Sequence, residues 1–208
     1  MIILSHRGYW KKAEEKNTLQ SFNYTINKGF GTETDIRDFD GQLVVSHDIS
    51  NKESLKLNSI LELFKNEHLF LALNIKADGL QDLLMQAIKL YKLTNYFVFD
   101  MSIPDTILYI NMGFNVFCRQ SEFELEIPFY DEIKGIWLDA FNKTWYSSDL
   151  VEKHIKNGKK VCIVSDELHK RDYLAQWKFI KSWSFIQNDN LILCTDYPEE
   201  ARNFFDNK

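Results

Sequence analysis

Short apolar runs alternate with amphipathic stretches along the whole chain. Residues 2–5 read as a strand, and residues 18–28 then place Leu19, Phe22 and Ile26 at helical spacing. Residues 30–36 read as the next strand. Asp40-Gly41 is a hairpin signal, after which residues 42–46 return as a strand. The remaining strands are expected near 69–75, 96–99, 114–118, 135–138, 160–164 and 191–194. Between them the spacing predicts helices over 54–65, 80–91, 104–112, 147–157 and about 167–182, with Pro104 in a first turn and Gly158 as a C-terminal cap. No helix is clear between the strands at 114 and 135.

Alternating strands and helices, with strands apolar on both faces, predict a parallel sheet covered by helices. Hairpin aside, the eight principal strands in 208 residues fit an α/β fold of the compact (β/α)8 TIM-barrel type, with a small hairpin after strand 2. A doubly wound open sheet is the alternative. It lacks support from a Gly-x-Gly-x-x-Gly loop or a Walker-type loop, neither of which the chain contains.

Length and composition narrow the classes. One domain over residues 1–208 is expected, since the chain is long enough to bury a core and holds only 3 Pro and 8 Gly. A formal charge of −5 argues against nucleic acid as a partner, because its phosphates demand a basic face. No run approaches the apolar length of a membrane span. Cys118, Cys162 and Cys194 each lie in an apolar run and read as buried thiols. With no basic leader before an apolar core, a cytoplasmic location is expected. The oligomeric state is open.

The chemistry collects at strand ends. His6-Arg7 follows the first strand, Glu33 and Asp35 end the second, His47-Asp48 closes the hairpin, and Asn74 and Lys76 end the third. Asp100, Arg119, Asp139, Glu167 and Asp196 lie at or just beyond the ends of later strands. In a β/α barrel these ends open on one face, where active sites are built. Glu33 and Asp35 are two apart on a strand, so their carboxylates point the same way and repel unless a cation or a shared proton neutralises them. An oxygen set suits a hard divalent cation, Mg2+ or Ca2+. His6 and His47 can divide general-base and general-acid duty near neutral pH. His68 and His154, in polar contexts, are expected at the surface, and His169 is unassigned.

Taken together, Ser5-His6-Arg7-Gly8, Lys16-Asn17-Thr18-Leu19, Glu33-Thr34-Asp35 and Ser46-His47-Asp48 resemble, in order and spacing, the glycerophosphodiester phosphodiesterases. Cys194-Thr195-Asp196-Tyr197-Pro198 is similar to that family's closing motif. The resemblance implies a metal-dependent phosphodiesterase acting on a small-molecule or polymer-linked phosphodiester of glycerol or another polyol. One divalent cation would be held by Glu33 and Asp35, with Arg7 and Lys76 on the phosphate. His6 and His47 would be base and acid, and a cyclic phosphate can form on the way. The same barrel would also serve a lyase or phosphoryl transferase, or a non-catalytic binder of phosphorylated ligands.

The chain departs from the family in two places. Asn74 stands where the family has a carboxylate and would be a weaker, neutral ligand. Lys16 stands where it has a glutamate. The stretch from Asp48 to Asn74 is also shorter than the family's usual cap insertion. Asp100, Arg119, Trp137, Asp139 and Glu167 are candidate substrate-binding residues. For these, a core position for Trp137 and an Arg119–Glu122 ion pair are the competing readings.

Overall fold

The structure, a computed structural model, describes residues 1–206. The chain is α/β and divides into two compact units, one of Ser5–Val116 and the other of Met1–Leu4 with the chain from Phe117 onward. Strand β1 (Ile2–His6) begins in the second unit and ends in the first.

In the unit from Ser5, helix α1 (Leu19–Lys28) is followed by β2 (Gly31–Phe39), β3 (Gln42–Val45), the short β4 (Leu55–Lys56) and helix α2 (Leu57–Phe64). Strand β5 (Leu71–Ile75), helix α3 (Gln81–Tyr91), strand β6 (Tyr96–Phe99) and helix α4 (Ile103–Asn111) complete it. β2 and β3 form an antiparallel hairpin from Ile36↔Val45 to Phe39↔Gln42. Its turn takes Asp40 and Gly41 to φ 48 and 70, the pair of left-handed residues that a tight hairpin needs. β5 runs parallel to β2, with Asp35 opposite Asn74, and β6 runs parallel to β5. Helix α1 starts where Thr18 accepts from Ser21 N and ends on Gly29 at φ 70. It buries Phe22 and Thr25, and Thr25 hydrogen-bonds Ser5 of β1.

In the other unit, strands β7 (Phe117–Gln120), β8 (Gly135–Leu138), β9 (Lys160–Val164) and β10 (Leu191–Thr195) pair in parallel in that order. Helices α5 (Ser148–Lys156), α6 (Tyr173–Lys181) and α7 (Pro198–Asp206) cover them. Trp177 is the centre of the core, fully buried, with its ring 4.4 Å from that of Tyr173 and its indole N–H on Ser165 Oγ at 2.8 Å. A side chain at Gly135 would place a Cβ 2.5 Å from Lys160 O, so the strands approach there as only glycine allows.

Several expectations are corrected. The strand expected at 114–118 lies at 117–120. The helix expected over about 167–182 is two: a 3-10 turn over Asp166–His169, then α6. Lys170 at φ 60 breaks the run, and Asp172 caps the restart by accepting from Leu174 N. Helix α7 was not anticipated. His154 is buried, because the face of α5 that carries Val151 also carries it inward. Its Nδ1 meets Tyr130 OH at 2.9 Å and its Nε2 meets Gln120 Oε1 at 3.1 Å. Cys118, Cys162 and Cys194 are buried, and burial pushes the Cys118 thiol up to about 11. No helix among the described residues is long and apolar enough to cross a membrane.

Candidate functional site

The unit from Ser5 assembles a compact charged cluster. Glu33 and Asp35 project from one face of β2, and Asn74, in register with Asp35, projects from the same face of β5. All three are buried. Arg7 Nε lies 2.9 Å from Asp35 Oδ2, and Lys76 Nζ lies 3.5 Å from Asp35 Oδ1 and 4.0 Å from Asp100 Oδ2. His6 Nε2 lies 3.8 Å from Glu33 Oε2. His6, Arg7, Glu33, Asp35, Asn74, Lys76 and Asp100 are therefore brought together.

The turn after β1 explains how Arg7 gets there. Arg7 sits at φ 59 and Gly8 at φ 86, and Arg7 N donates to Glu33 O at 3.0 Å. A side chain at Gly8 would collide with Ser21 of α1, so this turn requires glycine twice over. Asn17, also left-handed at φ 58, closes the turn by donating its backbone N–H to Arg7 O at 2.9 Å. Its side chain donates to Asp35 Oδ2 and accepts from Thr34 Oγ1, both at 2.9 Å. Asn17 thus positions both Arg7 and Asp35. The sequence reading gave it no separate role, because nothing local signals a bond to a residue 18 positions on.

Burial of Glu33, reinforced by the charge of Asp35, pushes its carboxyl up to about 8, although Arg7, Lys76 and an Asn74 hydrogen bond oppose the rise. Glu33 Oε2, Asp35 Oδ1 and Asn74 Oδ1 are buried and accept no hydrogen bond. Three such oxygens on one face are a donor set for a hard cation, and the residues present fit one. The set holds two carboxylates and one amide. Among the described residues, no group of three or more His, Cys, Asp or Glu side chains could hold a metal ion.

His47 follows β3 and is half exposed. Its Nδ1 is held by Asp48 Oδ1 at 2.9 Å, and its backbone carbonyl accepts from Arg37 at 3.3 Å. It joins the cluster through a shared cavity of about 600 Å3 that Arg7, Asn17 and His47 line together.

The other strand-end residues lie in the second unit. Arg119 pairs with Glu124 at 3.7 Å, and the Glu122 carboxylate accepts from Phe141 N and Asn142 N. Trp137 is buried on β8. Asp139 Oδ1 meets His169 Nε2 at 2.6 Å, and Trp145 Nε1 donates to Asp139 O at 2.7 Å. Glu167 accepts from Ser165 Oγ, Thr195 Oγ1 and Asp196 N, so it ties two strand ends together. Burial raises its carboxyl above the ordinary range, against those hydrogen bonds.

The chain is thus an α/β protein with a mostly parallel sheet that carries acids, histidines and basic side chains at its strand ends. No family sequence model matches the chain, and no curated protein sequence does. Solved structures do. A phosphodiesterase from Oleispira antarctica, in complex with the product sn-glycerol-3-phosphate, superposes with a TM-score of 0.71 at 14% identity, covering 99% of this chain and 97% of that one. A glycerophosphodiester phosphodiesterase from Agrobacterium tumefaciens gives 0.71 at 15% identity, covering 98% and 99%. N-(5'-phosphoribosyl)anthranilate isomerase from Pyrococcus furiosus follows at 0.53 and 13% identity over both full lengths. The chain has the fold of the two phosphodiesterases, as the sequence motifs led one to expect.

Proposed function

We propose that the chain is a divergent glycerophosphodiester phosphodiesterase, a closed (β/α)8 barrel that hydrolyses a glycerol- or polyol-phosphate diester with one divalent cation, Mg2+ or Ca2+. The observation that carries this is the cluster itself. Buried, unbonded oxygens of Glu33, Asp35 and Asn74 share a small volume with Arg7, Lys76 and His6. The chain has the fold of a phosphodiesterase whose structure contains sn-glycerol-3-phosphate as product.

Glu33, Asp35 and Asn74 would hold the cation, which when bound supplies Lewis-acid stabilisation of phosphoryl charge. Arg7 and Lys76 hold the non-bridging oxygens. His6 takes the proton of a hydroxyl neighbouring the ester, whose oxygen bonds phosphorus as the bond to the leaving alcohol breaks. His47, with Nδ1 fixed by Asp48, gives its Nε2 proton to the departing oxygen. Water then opens the cyclic phosphate with the histidine roles reversed. If the cyclic ester is released, the protein is a lyase, and if another alcohol opens it, a transferase. We place the protein in the cytoplasm, consistent with three cysteines buried in apolar runs.

A panel of glycerophosphodiesters assayed with Mg2+, Ca2+ or chelator tests this, with phosphorus NMR to separate cyclic from open products. Cation-dependent turnover that a His6→Ala, His47→Ala variant loses is expected. Equal inactivity of both proteins with every cation refutes the catalytic reading. The amide at Asn74 favours a second reading, a non-catalytic phosphate-ligand binder, which would show ligand-dependent thermal stabilisation without product.

A further inference from the structure

We infer that the cavity beside His47 is a leaving-alcohol site selective for a neutral, hydroxyl-rich polyol of inositol or hexose size. This rests on the phosphodiesterase reading for its orientation. If His47 protonates the departing oxygen, the alcohol carrying that oxygen lies on the His47 side of the phosphate. That side is the cavity of about 600 Å3, which begins at Arg7 and Asn17 and extends to the loop over residues 51–55. Its volume is that of a site for a complete small molecule, roughly 300–1,000 Å3, and exceeds what a three-carbon alcohol fills.

The lining selects by chemistry. Its lining includes no Phe, Tyr or Trp, and the single imidazole of His47 makes no cage for a quaternary ammonium such as choline. Trp10 lies under the Lys16 ammonium, 4.3 Å from ring centroid to Nζ, and does not line the cavity. The apolar contribution is limited to Ala13, Leu19, Val45 and Leu55, interspersed with polar groups, which is no channel for an acyl chain.

The charges balance, Arg7 and Lys16 against Asp48 and Glu53, and Arg7 and Asp48 are already paired with Asp35 and His47. A strongly charged head group therefore finds no net complement. Uncharged and acceptor groups remain at the far end. Asn51 uses its carbonyl oxygen on Glu53 N, leaving its amide NH2 to donate, and Ser54 Oγ accepts from Asn51 N, leaving its hydroxyl proton. With the Glu53 carboxylate they make a mixed set of donors and an acceptor. Alcohol hydroxyls match such a set because each both donates and accepts.

The test is binding, read by calorimetry on the full chain with Mg2+, using sn-glycero-3-phosphoinositol and sn-glycero-3-phosphocholine as probes. The inositol diester is expected to bind at least tenfold more tightly, and an Asn51→Leu, Glu53→Leu variant is expected to bring that ratio close to one. The ratio carries its own control, since a general loss of folding weakens both probes. A wild-type ratio of one or below, binding of neither probe, or a ratio that the variant leaves unchanged overturns the inference. Turnover measured in parallel keeps the two readings apart. Preference without cleavage leaves the cavity assignment standing and removes the hydrolase, whereas cleavage of both without preference does the reverse.

Discussion

Replacing Glu33 with glutamine should stabilise the cation-free protein, and more so as pH rises. The Glu33 carboxyl is raised from an ordinary 4.5 to about 8 by burial and by the Asp35 charge. A raised carboxyl contributes its full stability below pH 4.5, where folded and unfolded chains are both protonated. That contribution is lost as pH climbs towards 8, because the folded state must then either keep a proton the unfolded chain has released or ionise in a buried site. Each pH unit inside the window costs about 1.4 kcal/mol. Between pH 5 and 7.5 the loss reaches about 3 kcal/mol, and an amide at this position escapes it. For a chain of this size that corresponds to a widening of the Tm difference by roughly 6–12 °C. Thermal unfolding of both proteins in chelator at half-unit steps from pH 5 to 8 measures it. A Tm difference that stays constant across the range refutes the electrostatic account of Glu33. Adding Mg2+ or Ca2+ should raise the wild-type Tm at pH 7.5 and move the Glu33→Gln variant far less.

Asn74→Asp should tighten divalent-cation binding by roughly tenfold or more, by adding a charged ligand, and should lower the Tm in chelator; calorimetric titration and thermal unfolding read the two effects. Asn17→Ala should cost about 1–3 kcal/mol in urea unfolding, because it removes the amide donor to buried Asp35 and the acceptor for Thr34, and should slow turnover through Arg7 and Asp35. His154, lowered first by burial and then by the Lys153 charge, contributes stability above its ordinary value of 6.5 that is lost as pH falls through its folded-state value. A His154→Gln variant should therefore show a flatter stability profile between pH 7 and 5 in urea titrations.

The cluster on β2 was legible because a period of two puts Glu33 and Asp35 on one face whatever surrounds them, and β5 follows the same rule. The order of strands and helices was legible for a similar reason. Helix α7 also carried signals, Pro198 in its first turn with Glu199 and Glu200, which the short C-terminal stretch concealed. The break before α6 was harder, since Lys170 adopts a left-handed backbone that its residue type does not advertise. The role of His47 beside the cluster was suggested by its motif, but the cavity that joins it to Arg7 was not readable. It depends on where the hairpin places a loop relative to Arg7, which is a matter of three-dimensional packing. Glu122 shows the same limit, because its bonds to the backbone of Phe141 and Asn142 span about 20 positions of sequence.

The three buried thiols have a practical side. Cys162 and Cys194 are fully buried, and Cys118 is held largely as the unreactive thiol at neutral pH. Native cysteines should therefore stay silent towards maleimides while the chain is folded. A single cysteine introduced at exposed Lys52, on the loop beside the cavity, would then accept a fluorophore in the otherwise natural background. The label would follow alcohol entry in real time, and the burst of extra labelling on unfolding would report global opening in the same sample.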